Sequence, residues 1–414
     1  MNRQSVARLR VLSLAVVLLL TLGCDRSPPG PVTVAEIASP AAEGSGQPNL
    51  AVGPDGEVIL SWLEPTLDGY ALKFSSLNAA GWSAARTVAE GDDWFINWAD
   101  FPSVVPISED FWAAHWLRYQ PDSFFAYDAM LALSSDGGAS WQAPQMLHQD
   151  GTESEHGFVT LYAERGDVGA VWLDGRNFIQ DGEFVYEDAA GNLLGTGLHY
   201  ARFSAAGERL ESRELDEMAC DCCLPDVALA SGGPVVVYRD RTTEEVRDIV
   251  IRRMTGGEWQ AALPLSPDNW EIAGCPINGP AVAATGDSVA VAWFSAAANV
   301  PSVRLSRSED AGQHFDEPVE IDALGSFGHV DVVVTESGDA VVSWLRREAD
   351  GLALTIRRVS PAGLIGDSQT VAFIDTGRPA DFPRMVYADR RLVFAWTDFD
   401  DAGSVKTAVA NISR

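Results

Sequence analysis

Lysine is almost absent from this chain: Lys73 and Lys406 are the only two in 414 residues. Arginine makes up the rest of the 29 basic residues, which face 59 acids and leave a net charge of −30. Such a surface excludes nucleic acid as a partner, because the phosphates would be repelled. It also disfavours broad contact with anionic lipid or a polyanionic glycan, and it suits solubility in a salty medium. Beyond Leu22 there is no apolar run long enough to cross a membrane. Cysteine is scarce, at five, and unevenly placed: apart from Cys24, all lie in Cys220-Asp221-Cys222-Cys223 or at Cys275. Residues 31–48 contain no arginine.

What the N-terminus does have is a targeting pattern. Arg3, Arg8 and Arg10 precede an apolar run from Val11 to Leu22, too short for a comfortable span and ending in small residues. Thr21-Leu22-Gly23-Cys24 resembles a bacterial lipobox, whose cysteine becomes the lipidated first residue. The expectation is a signal peptide over 1–23, lipidation at Cys24 and a tether over 24–30. That places the protein in the bacterial cell envelope, on its periplasmic or outer-membrane face, with the membrane as partner through the lipid.

A short apolar strand ending in an aromatic recurs seven times: Ile59–Trp62, Ala113–Trp116, Ala170–Trp172, Val235–Tyr238, Val289–Trp293, Val341–Trp344 and Val393–Trp396. A period of about fifty residues signals a propeller or solenoid. An apolar strand and a polar turn precede each aromatic strand, and one or two strands follow it. Four short strands per repeat make one propeller blade. The fold expected over 31–414 is all-β: a single β-propeller with seven blades of mostly four antiparallel strands, monomeric. The seventh repeat lacks its last strand, which Val32–Ala38 at the N-terminus can supply. A six-bladed core with an appended sheet is the alternative.

Two turns carry a second signature: Ser134-Ser135-Asp136-Gly137-Gly138-Ala139-Ser140-Trp141 and Ser308-Glu309-Asp310-Ala311-Gly312-Gln313-His314-Phe315. The residues that define them are Ser134, Asp136, Gly138 and Trp141, then Ser308, Asp310, Gly312 and Phe315. The acid accepts hydrogen bonds within its own turn, the glycine takes a conformation others resist, and the aromatic packs between strands. This wording resembles the Asp-box, or BNR, repeat of the sialidase superfamily. The resemblance implies a propeller. An Asp-box is a folding device, so the reaction stays open.

Aligning the repeats puts seven segments at one channel mouth: Gly46-Gln47, Asp100-Phe101, Glu155-His156, Cys222-Cys223, Asn278-Gly279, Gly328-His329 and Asp381-Phe382. Cys220, Cys222, Cys223 and Cys275 meet there. One bridge can join blades, and the other must be a small local ring, an odd choice for stabilisation alone. The same residues, completed by His156 and His329, form a candidate metal site, with Cu or Zn the metals that thiolates favour. The Cys-x-Cys-Cys and Gly-Cys-Pro-x-Asn-Gly-Pro wording is similar to that of bacterial sialidase-like propellers of unassigned activity.

A sialidase uses an arginine cluster, a Tyr–Glu nucleophile pair and an Asp acid/base, and its first arginine precedes the first blade. This chain has none there. Asp100, Glu155, Tyr186, Arg239 and Arg384 are the catalytic candidates, with Arg118 and Arg176 as further cluster members. Trp94, Trp98 and Trp270 precede inner strands and suit packing or sugar stacking. Three functions remain: binding a metal or small ligand at the mouth, a sialidase-type glycan hydrolase, or a protein-interaction scaffold stapled by disulfides.

Overall fold

The computed structural model describes residues 28–121, 123, 125–323, 325–349, 351–374, 382–399 and 403–412. The leader and Cys24 lie outside the described residues, as does Asp381. Seven antiparallel sheets follow one another along the chain. Blades 1 to 7 span 46–91, 103–146, 156–219, 226–266, 281–323, 326–374 and 384–411. Their innermost strands contact one another in sequence, and blade 7 returns to blade 1, closing a ring. The alternative of six blades and an appended sheet is therefore replaced by seven equal partners. The last sheet takes its outer strand from the N-terminus: Thr33–Ile37 pairs antiparallel with Ser404–Asn411, Thr33 opposite Asn411 and Ile37 opposite Thr407.

The repeated aromatics explain why the ring holds. Each lies on the second strand of its blade, and Trp62, Trp172, Tyr238, Trp293 and Trp344 are wholly buried. Burial of an indole or phenol demands a partner for its polar atom. Trp62 Nε1 donates to Glu64, Trp172 to Asp174, Trp293 to Asp268, Trp344 to Asp322, and Tyr238 Oη to Asp216.

The two resembling turns link third and fourth strands, on the face opposite the segments that lead into inner strands. Ser134 Oγ donates to Asp136 Oδ1 and accepts from Gly138 N, both at 2.8 Å, and Asp136 also accepts from Ser140 N. Ser308 and Asp310 repeat these bonds with Gly312 N and His314 N. Trp141 meets Phe74 edge-on, and Phe315 packs against the core shared by blades 4 and 5.

The segments that lead into inner strands follow a four-residue pattern. Gly46, Gly157 and Gly328 each open a break in register that closes at Asn49, Thr160 and Asp331. Gln47, Phe158 and His329, the next residues, have φ of 55°, 53° and 51°. Such β-bulges re-aim the strand at the rim of the ring. Side chains then clasp blade to blade: Asp100 Oδ1 accepts from Phe158 N at 2.7 Å, and Asn278 Oδ1 from His329 N at 2.8 Å. Asp226 and Asp331 do the same one turn deeper, accepting from Val282 N and Met385 N, each at 2.8 Å.

Candidate active site

The alignment of blade 3 expected from the sequence slips by two residues. Gly157-Phe158, not Glu155-His156, corresponds to Gly328-His329, so His156 and His329 are not equivalent. In blade 4 the slip is one: Cys223 begins the segment. The consequence is chemical. The second residues of the segments form an apolar plug rather than a titrating ring: Phe101, Phe158 and Phe382 join one buried cluster with Trp98 and Leu224. His329 stacks on Phe382 with ring centroids 4.0 Å apart. Below the plug, the inner strands enclose a channel of about 580 Å³ that holds Asp226, Asp331 and Arg384. Burial pushes the Asp226 carboxyl up to about 6 and raises that of Asp331.

The cysteines are joined as Cys220–Cys223 and Cys222–Cys275, with Cα atoms 5.6 and 6.1 Å apart. The second bridge ties the approach to blade 4 to the approach to blade 5. Cys220 and Cys223 are buried, whereas Cys275 is exposed. In this form none of these four sulfurs is a thiolate, so the expected Cu or Zn site on sulfur belongs only to reduced protein. His156 and His329 have other partners, described here and below.

Several catalytic candidates are occupied by structural work. Arg239 is fully enclosed, donates to the carbonyls of Asn278, Arg247 and Phe294, and lies over Trp270. Asp100 is buried, and besides Phe158 N it accepts from Tyr127 Oη at 3.3 Å. Burial, opposed by those two bonds and aided by the charge of Glu155, pushes its carboxyl up to about 7. Arg384 lies 3.7 Å from Asp331 and over Phe101. Arg118 and Arg176 pair with Asp128 and Asp174. Trp94 stacks on Trp116.

Glu155 and Tyr186, by contrast, face one cavity of about 710 Å³ over blades 2, 3 and 4, with Ser123, Phe125 and Ala126 contributed by blade 2. Its wall comes from the long insertion in blade 3. There Asp174 caps the short 3-10 turn Gly175–Phe178 by accepting from Arg176 N, and a small hairpin follows. Phe178, Phe184 and Tyr186 form an aromatic group with centroids 5.1 to 6.1 Å apart. The other wall is polar. Asp221, inside the cysteine cluster, accepts from Thr196 Oγ1 at 3.1 Å and Arg241 Nη1 at 3.2 Å. Arg247 approaches it at 3.7 Å, and Glu245 holds both arginines. Glu155 is solvent-exposed at the cavity wall; the desolvation its surroundings impose first, and the charge of Asp221 next, raise its carboxyl. Asp221, Phe178 and Phe184 were not singled out from the sequence as site residues, although Asp221 stands in plain view between Cys220 and Cys222.

Fold and cavity define a seven-bladed propeller with an acid-rich pocket beside its axis. No family model and no curated protein matches the chain. Among solved structures it is similar to an α-L-arabinofuranosidase of Fusarium graminearum, at 15% identity over 75% of this chain and 92% of that one, TM-score 0.50. It is similar to the polysaccharide lyase Uly1 at 10% identity over 86% and 88%, TM-score 0.50. The NanB sialidase of Streptococcus pneumoniae gives 9% identity over 86% and 83%, TM-score 0.45. At such identities the likeness speaks to the fold alone, a β-propeller.

Proposed function

We propose that this protein, tethered to the envelope through Cys24, is a glycoside hydrolase acting on neutral glycans in the pocket over blades 2, 3 and 4. The observation that carries the reading is a raised carboxyl, Glu155, beside a second carboxylate, Asp221, in a cavity with an aromatic wall. Glycosidases work with two carboxyl groups whose environments differ. Glu155, held protonated to higher pH than an ordinary glutamate, donates its proton to the departing glycosidic oxygen. Asp221, positioned by Thr196 and Arg241, acts on the sugar carbon or its attacking water. Phe178, Phe184 and Tyr186 give a sugar ring an apolar face to stack on. The glycan-active names of the two neighbours at TM-score 0.50 lend the reading further, weaker support.

The charge of the lining sets the substrate class. Glu153, Glu155 and Asp221 outnumber Arg241, which is already paired with Glu245 and Asp221. A sugar acid would be repelled, so sialic acid is a poor substrate. Incubation with neutral aryl glycosides and oligosaccharides should show turnover in the wild type. Glu155→Gln should lose about 100-fold or more of it. No turnover of any neutral glycan, or an unaffected Glu155→Gln, would sink the reading; sialic-acid release that depends on Glu155 would turn it into a sialidase.

A further inference from the structure

The chain on either side of Glu155 enters a second cluster that the hydrolytic reading does not use. Asp150, Thr152, Ser154 and His156 lie on the approach to blade 3, and Asp174 ends that blade's second strand. Asp128 is the second residue of the third strand of blade 2, and His148 follows that blade's fourth strand. His148, His156, Asp128 and Asp174 are buried.

Hydrogen bonding decides what His156 offers. Its Nδ1 lies 3.2 Å from the carbonyl oxygen of Tyr127 and 3.1 Å from that of Ser154. Carbonyl oxygens only accept, so Nδ1 bears a hydrogen. Its Nε2 lies 3.1 Å from Asp150 Oδ2 and 3.6 Å from Asp174 Oδ1, with the Ser154 hydroxyl at 3.4 Å. The Nε2 edge of the ring therefore faces two carboxylates. The ring of His148 stacks on it, 3.4 Å between centroids and 5° from parallel. His148 also faces acids on both sides, with Nδ1 2.7 Å from Asp150 Oδ1 and Nε2 3.3 Å from Asp128 Oδ1. That Nε2 is buried and makes no hydrogen bond.

We propose that Asp150, His156 and Asp174 bind a divalent transition-metal ion, with zinc the best fit to one imidazole and two carboxylates. One ligand atom from each lies within 4.8 Å of the others. Ligands about 2.0–2.2 Å from zinc stand roughly 3–3.6 Å apart, which is the spacing of His156 Nε2 to the two carboxylates. The outer partners are those such a site uses to aim its ligands. A backbone carbonyl fixes the tautomer of His156, His148 and Thr152 hold Asp150, and Arg176 and Trp172 hold Asp174. The ion would pin the segment that carries Glu155, from both sides. It is distinct from the sulfur site, since it needs no thiolate.

The test uses the full mature chain with both disulfides intact, stripped by chelator and dialysed against micromolar zinc. One equivalent should be retained, with melting raised and only nitrogen and oxygen neighbours in the zinc X-ray absorption spectrum. His156→Gln and Asp150→Asn should each weaken zinc binding by about 10-fold or more. Failure to retain zinc, sulfur in the first shell, or undiminished binding in folded variants would overturn the proposal. The absorption spectrum needs no variant, so it decides even where a substitution prevents folding.

Discussion

Asp100 shows how one buried carboxyl links the clasp between blades to pH. Its folded pKa, about 7, stands above the ordinary aspartate value because burial outweighs its two hydrogen bonds. The folded state thus binds an extra proton between about pH 4 and pH 7. The stability it contributes is complete below the ordinary value and is lost as pH rises through 7. Asp100→Asn keeps an acceptor for Phe158 N, as Asn278 does for His329 N in blade 5. Its melting temperature should match wild type only below about pH 4 and exceed it near pH 8, with glycan turnover retained. A variant less stable at both values, or inactive, would show that the carboxylate itself is needed. The neighbouring glycine is equally constrained: a Cβ on Gly157 would overlap Asp100 Oδ2, and one on Gly328 would overlap Asn278 Oδ1. Gly328 also has φ of 96°. Gly157→Ala and Gly328→Ala should each be strongly destabilising, measured by denaturant unfolding.

At the scale of elements, the second strands were legible because each ends in a buried aromatic at a near-constant spacing. The inner strands were harder. A bulge from Gly157 to Thr160 shifts register, and a period read along the chain does not see it. A better signal was present: Pro48, Pro102, Pro225, Pro280 and Pro383 occupy the third place of their segments, with Val159 and Val330 standing in. Reading from those residues aligns all seven blades and moves Glu155 off the axis. The pocket and the His–Asp cluster were not legible, because each joins strands distant in sequence. Two elements can be tested by stability. Ser134→Ala removes bonds to Asp136 and to buried Gly138 N and should cost about 1–3 kcal/mol, without effect on the pocket on the opposite face. Opening the Cys222–Cys275 bridge with a double alanine variant should cost about 2–4 kcal/mol. It should also reduce turnover, because Asp221 sits within that cluster. Unchanged turnover would separate Asp221 from the reaction.

For the whole molecule, the charge of −30 makes the folded ring repel itself. Added salt screens that repulsion, so melting temperature should climb with ionic strength; a flat or falling dependence would mean that the ion pairs dominate instead. The ring also has a seam in time. Among the described residues, Thr33–Ile37 pairs with Ser404–Asn411 alone. A chain made from its N-terminus must carry that strand unpaired until Ser404–Asn411 has been produced. Long-range pairings of this kind form slowly, and an idle strand edge recruits other chains. Final closure should therefore be the slow phase of refolding, absent when residues 31–40 are deleted. The same first strand makes assembly a proofreading step: a chain cut short before Ser404 never seals and is left open to chaperones and proteases.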